Sequence, residues 1–239
     1  MERLFIIIPA YNEEENIRQV IKDWYQVVEQ FGEDSCLVVI DDGSKDDTFR
    51  IINECAKQRP LLKPLTKENG GHGSTVLYGY QYALEQGADY IFQTDSDGQT
   101  RAEEFAGFWE QRKEYDMVIG SRLKRGDGFA RVIVTKVLKL VVRICFGVSI
   151  EDVNTPYRLM NANVLAKYIH LIPEDFFLSN VMVSVIFVKK NRKVKFIPIT
   201  FLPRQGGVNS IKIANMVKIG VRAWKDFGNM RKDLERREE

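Results

Sequence analysis

Apolar and polar positions along the chain fall into short, wholly apolar runs separated by longer amphipathic stretches. Leu4-Phe5-Ile6-Ile7-Ile8, Leu37-Val38-Val39-Ile40, Tyr90-Ile91-Phe92 and Met117-Val118-Ile119 are apolar without alternation, as expected of strands covered on both faces. Leu61 to Leu65 and Val194 to Phe201 are two further candidate strands. Between them, helical periodicity predicts helices from about Asn12 to Phe31 and Asp46 to Gln58, one opened by the 69–74 glycine loop and running through about Gln86, and one from about Ala102 to Tyr115. In this reading Asn12 caps the first helix, and Glu13, Glu14 and Glu15 favour its positive end. Strands alternating with helices at this spacing predict an α/β fold: a doubly wound, mainly parallel sheet with helices on both faces.

After Ser121 the pattern changes. Phe129 to Phe146 reads as an apolar helix with Lys136, Lys139 and Arg143 on one face. Phe176 to Lys190 reads as another helix, and Ile211 to Arg237 as a basic amphipathic one. One domain over residues 1–239 is expected, with a nucleotide-binding half (1–121), a second half completing the site (122–210) and a basic C-terminal helix (211–239).

The chemistry-bearing motifs follow strands. Asp41-Asp42-Gly43-Ser44 follows the second apolar run, Asn69-Gly70-Gly71-His72-Gly73-Ser74 opens a helix, and Asp95-Ser96-Asp97 follows the Tyr90 strand. All therefore converge on one sheet edge, where open α/β sheets bind ligands. Two carboxylates two residues apart suit a hard cation, Mg²⁺ or Mn²⁺, that bridges to substrate phosphates. Seen singly, Asn12-Glu13 and Asp41 to Ser44 are equally suited to a turn or a helix cap, Asp-x-Asp is often only a loop or cap, and a merely flexible turn is the lesser reading of the 69–74 loop.

Composition narrows the classes. A net charge of +2 gives no global electrostatic case for nucleic acid. Cys36, Cys55 and Cys145 lack paired or metal-ligand spacing and read as free thiols in a reducing compartment. His72 and His170 are too few for a histidine metal site. No secretory signal and no membrane-length apolar run is legible, so a cytoplasmic chain is expected. There is no Gly-x-Gly-x-x-Gly after the first strand, no P-loop and no Gly-x-Ser-x-Gly elbow.

The run Ile8-Pro9-Ala10-Tyr11-Asn12-Glu13-Glu14, then Val39-Ile40-Asp41-Asp42-Gly43-Ser44, then Asp95-Ser96-Asp97-Gly98-Gln99 resembles glycosyltransferase family 2. Gly120-Ser121-Arg122, Arg131 with Thr135, Asp152 to Arg158 and Arg204 with Gly207 are similar in order to its polyprenyl-phosphate group, the dolichol-phosphate mannosyltransferase-like enzymes. The resemblance implies a GT-A fold and inverting transfer from a UDP- or GDP-sugar to a lipid phosphate. It implies that Pro9, Tyr11, Glu13, Ile40, Asp42, Ser96 and Arg204 bind the nucleotide diphosphate, with Asp41 an alternative contact. It implies that Asp95, Asp97 and Gln99 hold the metal, with Asp97 also catalytic. Arg122, Arg131 and Thr135 match positions that hold the acceptor phosphate. Asp175 resembles a family base, and is equally placed to cap the helix expected at Phe176. Two departures bear on the acceptor: Asn209 and Ser210 stand where a lysine is common, and Pro156 where glycine is usual.

The helix at 129–147 and the basic terminal helix are candidates for peripheral contact with an anionic membrane face; the other reading is a core helix and a solvated tail. A saccharide hydroxyl, in cell-surface polysaccharide synthesis, is the alternative acceptor. Readings from other classes are a sugar-phosphate nucleotidyltransferase and an inactive nucleotide-binding protein.

Overall fold

The computed structural model describes residues 2–122, 128–203, 226–228 and 230–231, with residues 128–135 described as backbone only. Seven strands form one sheet among these residues: β1 (Leu4–Ala10), β2 (Cys36–Asp41), β3 (Leu62–Thr66), β4 (Tyr90–Gln93), β5 (Met117–Arg122), β6 (Arg158–Asn161) and β7 (Val194–Ile199). Their order is β3-β2-β1-β4-β6-β5-β7. β6 runs antiparallel between β4 and β5, and the other neighbouring pairs are parallel. The mainly parallel, doubly wound sheet expected from the apolar runs is present.

Alternation along β1 explains the layering. Leu4, Ile6 and Ile8 face a core shared with α1 (Ile17–Val28), α2 (Thr48–Ala56) and α4 (Phe105–Glu110). Phe5 and Ile7 face a second core shared with α3 (His72–Glu85), α5 (Gly128–Phe146) and α7 (Ser179–Lys189). A short helix α6 (Ala162–Ala166) follows β6, with Asn161 capping it through a bond from the Val164 N–H to Oδ1 at 3.2 Å. On the first face, Trp24 sits among Phe92, Phe105 and Tyr157 with ring centroids 5.1, 6.4 and 5.8 Å away. On the second, α3 lies directly on the sheet because residue 79 is glycine. A Cβ there would meet Ile7 Cγ2 at 2.4 Å and Ile40 Cδ1 at 2.6 Å.

Several boundaries differ from expectation. The first helix starts at Ile17, not Asn12: Asn12 has φ of 55°, and its side chain is spent on another loop. The helix expected over 102–115 contracts to a 3₁₀ turn and α4, because Arg112 and Glu114 already sit in turns. β6 has no counterpart in the sequence reading. The helix expected from Phe176 starts at Ser179, after a turn closed by Phe176 N–H to Pro173 O at 3.0 Å. Asp175 therefore lies in that turn and is not a cap for α7. The expected terminal helix falls mostly outside the described residues; residues 226–228 and 230–231 are helical. The three cysteines are free thiols. No helix among the described residues is long and apolar enough to cross a membrane.

Candidate active site

The loops after β1, β2, β3 and β4 meet at one edge of the sheet, as the positions of the motifs predicted. The first two clamp each other. The Asn12 N–H donates to Ser44 Oγ at 2.9 Å, and Asn12 Oδ1 accepts from the Lys45 N–H at 2.8 Å. The Glu13 N–H donates to Thr48 Oγ1 at 2.8 Å, and Glu14 Oε2 accepts from the Asp47 N–H at 3.0 Å. The polar residues after β1 thus serve the neighbouring loop, where short-range spacing had suggested a helix cap. Pro9 is buried beside its β2 partner Ile40, and Ile40 points its side chain into the core. Glu13 is buried and its Oε2 accepts from Asn16 at 2.8 Å. Tyr11 is 39% exposed, an aromatic face open at the sheet edge.

Asp41 and Asp42 are both buried, and both carboxylates are engaged. Asp41 accepts from the Ser44 N–H at 3.2 Å and from the Thr66 hydroxyl at 3.0 Å. Asp42 Oδ1 accepts from Lys67 Nζ at 2.8 Å and the Gly70 N–H at 2.9 Å, and Oδ2 from the Gly71 N–H at 2.9 Å. Burial pushes the Asp42 carboxyl up, but Lys67 and the other donors outweigh it and hold the group below the usual carboxylate range. Asp42 thereby anchors the glycine loop. Gly71, at φ of 84°, turns that loop into α3 in a conformation that side-chain-bearing residues rarely adopt.

Gly73 fixes the start of α3 from the other side. A Cβ there would lie 2.2 Å from Phe176 O and 2.6 Å from Phe177 O. The turn that carries the exposed Asp175 is therefore packed, through its next two residues, against the glycine loop. Between these anchors stands His72, whose Nε2 lies 2.9 Å from Asp95 Oδ1. Partial desolvation favours the neutral ring, although the side chain keeps 48% of its surface, and the carboxylates of Asp95 and Asp97 outweigh it and raise the imidazole above its ordinary range. Two histidines in the chain do not suggest a histidine site; the place of His72 in a glycine loop facing an acidic pair is the signal that does.

The acidic loop follows β4. Asp95 and Asp97 are partly exposed and Ser96 is buried. Among the described residues no three His, Cys, Asp or Glu side chains converge to hold a metal. The set fits a cation completed by substrate phosphate oxygens, held by two carboxylates and not by a closed protein cage. Gln99 is buried and donates its Nε2 to Leu202 O at 2.7 Å, while the Leu202 N–H returns to Gln99 O at 2.8 Å. The acidic loop is thus tied to the segment after β7.

Arg122 is held by Asp152: Nε to Oδ2 and Nη2 to Oδ1, both at 2.9 Å, with Phe201 5.1 Å below the guanidinium. One edge of its donor fork is taken by this pair. The side chains of Arg131 and Thr135, and all of Arg204, lie outside the described residues. Deeper, Arg158 is fully buried and donates to Thr155 O at 2.6 Å, Asn180 O at 2.8 Å and Ser184 Oγ at 3.2 Å, joining β6 to α7.

A seven-stranded, mainly parallel sheet with an acidic pair and a glycine loop at one edge is the architecture of an α/β ligand-binding enzyme domain, and sequence comparison names the family. Residues 5–196 match the model of Glycosyl transferase family 2, and the chain belongs to that family. It is 27% identical to the undecaprenyl-phosphate mannosyltransferase of Micrococcus luteus, over 92% of this chain and 95% of that protein. It is 26% identical to the polyprenol monophosphomannose synthase of Mycolicibacterium smegmatis, over 90% of this chain and 83% of that protein. It is also 25% identical to an undecaprenyl-phosphate 4-deoxy-4-formamido-L-arabinose transferase of Pectobacterium carotovorum, of whose length it spans only 54%. Among solved structures, the glucosyl-3-phosphoglycerate synthase of Mycobacterium tuberculosis superposes with a TM-score of 0.68 at 16% identity, over 96% of this chain and 80% of that one. The same protein with Mn²⁺, UDP-glucose and glycerol 3-phosphate superposes with a TM-score of 0.65 at 15% identity, over 96% and 80%. The fold is GT-A, the chain is a glycosyltransferase, and its likeness to polyprenyl-phosphate glycosyltransferases matches the group expected from the motifs.

Proposed function

We propose that this chain moves a sugar from a UDP- or GDP-sugar to a polyprenyl phosphate, of the undecaprenyl or dolichyl kind, with inversion at the anomeric carbon and with Mg²⁺ or Mn²⁺ at the acidic pair. The observation that carries this reading is the position of Asp95 and Asp97 at the sheet edge, beside a glycine loop anchored by Asp42. The relatives named for polyprenyl and undecaprenyl phosphate supply the acceptor class.

In this reading Tyr11, Pro9, Glu13 and Ser96 line the nucleotide pocket, and Ile40 and Asp41 support it from the end of β2. Asp42 shapes the pocket by holding the 67–71 loop. A divalent cation held by Asp95 and Asp97 supplies positive charge to the leaving diphosphate, the main catalytic contribution expected of such a site. Arg204 completes the diphosphate contacts, and Gln99 serves the metal loop. Arg122, Arg131 and Thr135 receive the acceptor phosphate. A phosphate acceptor is already ionised at neutral pH, so the reaction makes little demand on a general base.

The outer face of α5 supports a membrane location for the acceptor. Val137, Leu140 and Ile144 are 49, 57 and 56% exposed and form one stripe, while Val142, Cys145 and Phe146 turn into the core. Lys136, Lys139 and Arg143 run beside the stripe. An apolar stripe flanked by cations suits the surface of an anionic bilayer, so we place the enzyme peripherally on the cytoplasmic membrane face. The second reading, a saccharide hydroxyl acceptor with Asp175 as base, draws on the exposed turn packed against Gly73.

Asp97→Asn tests the metal and donor assignment. The variant should unfold like the parent and lose about 10²–10³-fold in turnover, the scale of a lost charge stabiliser at a developing anion. Undiminished turnover of the parent protein in excess chelator would contradict it.

A further inference from the structure

His72 occupies a position with more restraint than an exposed side chain ordinarily has. Its backbone is held on the N-terminal side by Asp42, which binds the Gly70 and Gly71 amides at 2.9 Å. On the C-terminal side Gly73 is pressed against the backbone of Phe176 and Phe177, with no room for a Cβ. The side chain leaves this frame and reaches across to β4, where Nε2 lies 2.9 Å from Asp95 Oδ1. A carboxylate only accepts, so Nε2 carries the hydrogen and His72 is the donor. The bond restrains rotation of the Asp95 carboxylate and leaves it with further acceptor capacity for a ligand.

We infer that His72 is a positioning residue for the metal site: it fixes the orientation of Asp95, one of the two carboxylates that would hold the cation. The inference rests on the assignment of Asp95 and Asp97 as metal ligands. Partners that hold a ligating group from behind typically change metal affinity by about 10–100-fold when removed. The arrangement also ties the glycine loop to the acidic loop, so metal uptake and the placement of α3 are linked through one hydrogen bond.

The test is Mn²⁺ titration of the intact protein, followed by the electron paramagnetic resonance signal of free Mn²⁺, with UDP and separately with GDP present. His72→Phe keeps a flat ring without the donor; His72→Gln keeps an N–H. His72→Phe should bind Mn²⁺ about 10–100-fold more weakly than the parent, and His72→Gln should recover part of the loss. Nucleotide affinity measured without metal should be the same in all three, which a general disturbance of the loop would not allow. Equal Mn²⁺ affinity in the parent and His72→Phe would overturn the role of His72 and leave the metal assignment standing. A parent protein that takes up no Mn²⁺ with either nucleotide would overturn the metal assignment itself, and the inference with it.

Discussion

Replacing Asp42 by alanine removes an acceptor shared by three donors: Lys67 Nζ, the Gly70 N–H and the Gly71 N–H, at 2.8, 2.9 and 2.9 Å; Lys67 Nζ keeps a second acceptor, Glu68 O at 2.7 Å. A hydrogen bond to a charged group contributes about 1.5–3 kcal/mol. Three of them set an upper bound of about 4.5–9 kcal/mol. Water recovers much of this, because Gly70 is exposed and the Lys67 side chain keeps 19% of its surface. The expected loss for Asp42→Ala is therefore about 2–4 kcal/mol, read as a shift of the urea midpoint. The pH dependence has a definite sign. Asp42 is held below its ordinary value, so its contribution is complete above about pH 4 and fades as pH falls through the lower folded value. The gap between parent and variant should thus be constant from pH 7 to about pH 5 and close under more acid conditions. Calorimetry with UDP and GDP, run alongside, separates anchoring from direct contact. A variant with parental stability and reduced nucleotide affinity would refute the anchoring argument and make Asp42 a base-contacting residue.

Two further outcomes follow from the same geometry. Gly73→Ala places a methyl group 2.2 Å from a backbone oxygen, so it should cost about 1–3 kcal/mol or more and lower metal-dependent nucleotide binding by shifting the start of α3, checked by thermal unfolding and calorimetry. Leu140→Glu, on the exposed stripe of α5, should leave the unfolding midpoint within about 0.5 kcal/mol while reducing co-sedimentation with anionic vesicles; unchanged vesicle binding would remove α5 from the membrane contact.

Much of the fold was legible because β1, β2, β4 and β5 are buried on both faces and need continuous apolar residues. Their period and spacing announce a parallel sheet without further information. β6 was illegible for the opposite reason. It is four residues long, begins with Arg158, and owes its place to hydrogen bonds with β4 and β5 and to the buried guanidinium beneath α7. Nothing local marks an arginine as a core residue. The site shows the same division. Convergence of the motifs on one edge followed from their positions after strands, but the partners inside the site did not. Asn12, Glu13 and Glu14 bond across about 32–35 residues of chain, beyond the reach of capping rules that look three residues ahead. Asp42, expected at the nucleotide, is oriented by Lys67 and the glycine loop. Arg122, expected at the acceptor phosphate, is oriented by Asp152, 30 residues on, through one edge of its guanidinium. In each case a long-range partner decided which way a charged side chain points.

The most direct measurement is transfer of labelled sugar from a panel of UDP- and GDP-hexoses, with Mn²⁺, to undecaprenyl phosphate in detergent and to a saccharide acceptor in parallel. Label should appear in the lipid, turnover should survive Asp175→Asn, and Arg131→Ala should raise the apparent KM for lipid phosphate while leaving donor binding nearly unchanged. Label confined to the saccharide, abolished by Asp175→Asn and indifferent to Arg131→Ala, would contradict the polyprenyl phosphate assignment.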